Sequence, residues 1–176
     1  MTKDELLGIY RTSQNNCKLV YTAIVLFSHE DMPAFYDEWS SALDFPKSFD
    51  DRDVVALLND ENVSKIAFTE LFDTVHRAAL KELFEITKYY CSSTGQMGLF
   101  KAQTWYHFWR IIRNCFSHDF RFRFSDHDRK MLPVSWATVT IDEKLEGKPL
   151  THGVLSREQV LTFIAEIQEF VSDQLA

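Results

Sequence analysis

The segment Ile111-Ile112-Arg113-Asn114-Cys115-Phe116-Ser117-His118 puts Arg, Asn and His together at the end of an aromatic-rich stretch with helical character. Those three side-chain types suffice for chemistry on a phosphodiester. Arg supplies a permanent, forked positive charge that matches phosphate oxygens, and His can give or take a proton near neutral pH. Asn can orient either partner. An RNA-cleaving site needs little more, so Arg113, Asn114 and His118 are the first candidates for a catalytic role.

The surroundings add to this. The chain has 176 residues and a net charge of -7, which argues against a general nucleic-acid binder. Its charge is unevenly spread. Residues 101–130 carry 7 basic and 3 acidic side chains, against 9 and 16 in residues 1–100 and 3 and 7 in residues 131–176. An electropositive patch on an acidic body can hold one stretch of RNA while the remainder discourages indiscriminate binding. Arg121 and Arg123 in this segment are expected to bind substrate; the alternative is that they, with Arg129 and Lys130, only solvate a loop.

The elements that must position these residues are mainly helical. A helix is predicted over residues 4–29, with an irregularity at Asn15-Asn16, and a second starts at Pro33 and runs through Tyr36, Trp39 and Leu43 to a stop before Pro46. A loop or short helical element covers 51–59. Val63, Ile66, Ala67, Leu71, Val75, Ala78, Leu83 and Ile86 recur at helical spacing and predict a long core helix over 63–90, ended by Ser92-Ser93-Thr94-Gly95. The next helix, 99–117, carries a core stripe of Trp105, Phe108, Trp109, Ile112 and Phe116. Tyr106, Arg110, Arg113 and Ser117 share another face, so Arg110 and Ser117 join the substrate-binding candidates, the two arginines as a phosphate ledge. Residues 132–141, rich in β-branched and aromatic types, read as a strand. Glu146-Gly147-Lys148-Pro149 reads as a turn returning through 150–152, a hairpin insertion at about 131–153. Ser156 and Gln159 form a capping box for the terminal helix. The expectation is one domain over 1–176, an up-and-down helical bundle with a small β-hairpin before the C-terminal helix.

At about 100° per residue, His118 lies about 140° around the helix from Arg113, so one straight helix holds them poorly around one phosphate. Two copies meeting about a two-fold axis would bring both pairs into one cleft. The spacing therefore predicts a homodimer.

Arg113-Asn114-Cys115-Phe116-Ser117-His118 resembles the R-N-x-x-x-H signature of HEPN domains, small helical bundles of which many are metal-independent RNases. The resemblance implies that Arg113 and His118 are catalytic, that Asn114 supports them, that two chains form a composite site, and that no cofactor or metal is needed. It implies an endoribonuclease with a toxin or defence role and an antitoxin or regulatory protein as partner; the alternative is a catalytically silent HEPN scaffold that binds RNA, a nucleotide or a protein. The chain departs from one branch of the family. Where antitoxin-regulated relatives carry R-x-x-x-x-H-x-Y, this chain has Phe120, which has no hydroxyl to accept a nucleotide.

Other candidates carry less. His29-Glu30 begins like a zincin motif, but position 33 is proline. Asp126-His127-Asp128 reads as a solvated loop, Asp119 as a cap for the turn after His118, and Trp105, Trp109 and Trp136 as packing residues. His76, His107 and His152 receive no role. Cys17, Cys91 and Cys115 lack metal or disulfide spacing and read as reduced. No run of about 18 apolar residues suggests a membrane span, and residues 1–5 lack a signal-peptide layout, so a cytoplasmic protein without membrane contact is expected.

Overall fold

In the computed structural model, which describes residues 1–40 and 51–176, the chain is mainly helical with one two-stranded antiparallel hairpin before the C-terminal helix. The order is α1 (Lys3–Phe27), α2 (Met32–Ser40), α3 (Asp51–Asn59), α4 (Glu61–Ser93), α5 (Met97–Lys101), α6 (Tyr106–Ser117), α7 (Asp126–Met131), β1 (Val134–Trp136), β2 (Val139–Ile141) and α8 (Arg157–Gln174). The expected course of the second helix through Leu43 to Pro46 lies outside the described residues. α1 runs unbroken through Asn15 and Asn16, so the expected irregularity there is absent.

Two compact units are present, one of residues 1–14 and 76–176, the other of residues 15–75. In the smaller, Cys17, Tyr36 and Phe72 are buried, and Phe27 packs against Tyr36 and Phe68. Asp60 Oδ1 caps the start of α4, accepting from the Asn62 and Val63 amides at 3.0 and 3.1 Å.

The larger unit holds the motif, and its core is aromatic. Phe84, Phe100, Trp105, Phe108, Trp109, Phe163 and Phe170 are buried against one another, most pairs edge-to-face, with ring centroids 5.1 Å apart for Phe84 and Trp109. The buried Trp109 indole donates to the Leu80 carbonyl at 3.0 Å, which fixes α6 on α4. This core corrects the single helix expected over 99–117. In one continuous helix Phe100 and Trp105 would point about 140° apart. A break at residues 102–105 lets both reach Phe170.

The hairpin differs from expectation for a similar reason. A single strand over 132–141 would send Val134 and Trp136 to one face and Val139 and Ile141 to the other. The chain instead folds back at Ala137-Thr138, in the register Val134↔Ile141, Ser135↔Thr140, Trp136↔Val139, which buries all four apolar side chains on one face. Trp136 packs on Phe163 of α8, ring centroids 4.6 Å apart, and donates its indole N–H to Glu166 at 2.7 Å. The turn at residues 146–149 exists, but the returning chain does not pair with β1 or β2. Residues 147–150 run against 120–122, through Phe122 N–H to Lys148 O at 3.0 Å, Gly147 N–H to Phe122 O at 2.8 Å and Leu150 N–H to Phe120 O at 2.8 Å. The loop after His118 is thereby stapled to the segment before α8.

Asp126-His127-Asp128 is not a loop. It opens α7, where Ser125 and Asp128 form a reciprocal capping box. The Ser156 and Gln159 box at α8 is present as expected. No helix among the described residues is long and apolar enough to cross a membrane.

Candidate functional site

α6 buries Tyr106, Phe108, Trp109, Ile111, Ile112 and Cys115. Tyr106, expected beside the arginines, is in the core, and Phe116, expected in the core, is only half-buried. Arg110, Arg113, Asn114 and Ser117 fall on the remaining arc, away from the aromatic core. That arc is not bare, because α4 and α7 supply a carboxylate to each arginine.

Arg113 forms an ion pair through Nη2 with Glu85 of α4 and donates from Nη1 to Asn114 Oδ1 at 3.1 Å. Its Nε is buried with no hydrogen-bond acceptor among the described residues. Asn114 thus orients Arg113, the supporting contact that a polar residue after the arginine can make. Ser117 donates its hydroxyl to the Arg113 carbonyl at 3.0 Å, a bond within the helix.

Arg110 pairs through Nη1 with Asp128, whose side chain is 3% exposed. Asp128 Oδ2 also accepts from the Ser125 amide at 3.0 Å and the Ser125 hydroxyl at 2.6 Å. One buried carboxylate therefore caps α7 and clamps α6 to it. His107 sits beside this clamp, its ring centroid 6.0 Å from that of His127. Burial, then the neighbouring His127 and Arg110, hold its imidazole below the ordinary histidine range.

His118 is exposed at the C-cap of α6, at φ -116° and ψ -130°, just beyond the last helical turn. Its side chain makes no hydrogen bond or ion pair among the described residues, so the imidazole is open to solvent. The backbone beyond it closes the helix: the Phe120 amide donates to Cys115 O at 3.1 Å with Phe120 at φ 60°, a left-handed conformation that glycine would take more easily. The Phe120 ring lies under the Arg77 guanidinium, 4.6 Å from ring centroid to Cζ, and that contact offsets part of the strain. Cys115, within the motif, is buried and its thiol is pushed up to about 12, mainly by burial, which disfavours the thiolate.

Arg121 donates to the Gly147 carbonyl at 2.8 Å. Arg123 pairs with Asp119, whose carboxyl also accepts from the Arg121 amide in the turn after His118; the Arg123 hydrogen bond above all holds that carboxyl below the ordinary value. Arg129 pairs with Glu146 at 3.0 Å. The basic segment is largely neutralised by carboxylates of its own chain.

Sequence reasoning missed Glu85 and Asp128. Asp128 had a local signal, the Ser-x-x-Asp spacing of a capping box ahead of Arg129 and Lys130. Glu85 had none, since it reaches Arg113 from another helix. No group of three or more His, Cys, Asp or Glu side chains is arranged to hold a metal among the described residues. Comparison with protein-family models, with curated proteins and with solved structures returns no match.

Proposed function

We propose that the chain is a metal-independent endoribonuclease of HEPN type that acts at a composite site between two copies. The observation that supports it is the end of α6, where Asn114 holds Arg113 and His118 stands exposed one position beyond the helix. The ribose 2'-OH attacks the adjacent phosphorus, leaving a 2',3'-cyclic phosphate and a 5'-OH. His118 serves as general base for the attack or general acid for the leaving oxygen, a role worth typically about 10²- to 10⁴-fold. Arg113 stabilises the charge that grows on the non-bridging oxygens. DNA lacks the 2'-OH and is spared. The toxin or defence role, an antitoxin or other regulatory partner and the cytoplasmic setting rest on the resemblance and the sequence alone.

A second reading, a silent scaffold of the same fold, draws on a specific observation: Arg110, Arg113, Arg121 and Arg123 each already hold an acceptor of their own chain. One assay separates the two. Purified protein is incubated with RNA in EDTA, beside Arg113→Ala and His118→Ala. Cyclic-phosphate ends from the wild type, with at least about a hundredfold loss in each variant, support the enzyme. RNA bound but left intact by all three proteins leaves the scaffold.

A further inference from the structure

We propose that Glu85 gates the site: its carboxylate occupies Nη2 of Arg113 and must leave before an RNA phosphodiester can take the same guanidinium. This rests on the ribonuclease reading and adds its regulation. Two nitrogens of Arg113 are engaged in the free chain, Nη2 by Glu85 and Nη1 by Asn114, and Nε is buried without an acceptor among the described residues. Glu85 holds Nη2, and a phosphate that binds the Arg113 guanidinium needs that same donor, so the two anions compete for it. The two acceptors differ in charge. Asn114 is neutral and adjacent in sequence, so it can stay in place and keep Nη1 aimed while the anion on Nη2 is exchanged.

The burial suits an exchangeable contact. Glu85 Oε1 is buried at the contact, but the Glu85 side chain as a whole is 42% exposed and that of Arg113 28% exposed, so the carboxylate can swing into water once the contact breaks. Ion pairs of this exposure are weak, and such a gate sets a threshold rather than a block. A phosphodiester that also meets a His118 imidazole in the composite site exceeds the threshold. A lone small anion does not, because the released Glu85 remains close and repels it.

The test is equilibrium binding of a non-cleavable 2'-O-methyl RNA in EDTA across a salt series, for wild type, Glu85→Gln, Arg113→Ala and the double variant. Glu85→Gln keeps the shape of the side chain and removes its charge; Glu85→Ala is a second variant should the first fold poorly, as checked by melting. The gate predicts that Glu85→Gln tightens binding about two- to fivefold, the factor an exposed ion pair sets. It also steepens log K against log salt by about 0.7, since a phosphate contact then forms without freeing a carboxylate to take up a cation. Both gains disappear in the double variant. Unchanged or weaker binding by Glu85→Gln, with Arg113→Ala still impaired, overturns the gate and leaves the RNA reading standing. Equal binding by all four proteins overturns the RNA reading. The gate is then decided by titrating inorganic phosphate and following the Arg113 Nε–H resonance: a response confined to Glu85→Gln supports it, and matching responses in both proteins overturn it.

Discussion

Asp128 shows how a residue read as part of a solvated loop becomes the best-buried charge near the site. It balances Arg110 and satisfies both donors of Ser125, so its removal leaves a guanidinium without its counter-charge and α7 without its cap. Arg110 keeps some contact with water, its side chain being 27% exposed, which places the cost below that of a fully buried pair. Asp128→Ala is expected to lower unfolding free energy by about 2–3 kcal/mol, read from urea midpoints at unchanged m. A loss under about 0.5 kcal/mol, the scale of a neutral surface change, would show the clamp to be idle and return Arg110 to the role of a free phosphate ligand. The contrast between the two missed carboxylates shows what a sequence carries at this scale. Asp128 lies three positions after Ser125, within the reach of a local spacing rule, whereas Glu85 meets Arg113 only because Trp109 fixes α6 against α4 at Leu80. Tertiary pairing of that kind leaves no periodic trace.

Among the elements, the long core helix, the capped terminal helix and the arginine-bearing arc of α6 were legible because each repeats its pattern over several turns. The break before α6 and the true hairpin turn were less so, since each depends on parity. Val134 and Trp136 occupy even positions and Val139 and Ile141 odd ones, and only a reversal between them puts all four on one face. That reversal uses Ala137 at φ 48°, where an L side chain is strained by roughly 1–2 kcal/mol. Glycine there removes the strain but adds freedom to the unfolded chain, worth roughly 0.5–1 kcal/mol against it. Ala137→Gly is therefore expected to stabilise the protein by up to about 1 kcal/mol, seen as a melting temperature higher by a few degrees. A lower melting temperature would mean that the left-handed turn is not what the hairpin adopts. Because β1 and β2 dock Trp136 on Phe163, and the segment beyond them staples residues 120–122, such tightening acts on the element that carries the loop after His118.

At the scale of the molecule, the proposed reaction requires Arg113 and His118 to act on one phosphate. α6 holds Arg113 against Glu85, while His118 is exposed at the C-cap, outside the regular helix. If the proposed composite site draws the arginine from one chain and the histidine from the other, that arrangement has an arithmetic consequence. Arg113→Ala and His118→Ala chains, each inactive alone, are co-expressed in equal amounts so that about half of the dimers are mixed. Each mixed dimer holds one intact pair across the interface, Arg113 from one chain and His118 from the other. RNA cleavage by the mixture should then return to about a quarter of the wild-type rate, half the dimers each with one of two pairs restored. A site formed within one chain gives no recovery, because no chain in the mixture carries both residues. Solution mass decides the premise: a strict monomer at assay concentration that still cleaves RNA would rule out the shared cleft. The net charge of -7 adds a condition, for two acidic bodies repel at low salt and associate more readily as screening rises, while RNA binding weakens over the same range. Recovered activity should accordingly pass through a maximum with salt, a profile that neither a monomeric enzyme nor a preformed tight dimer would give.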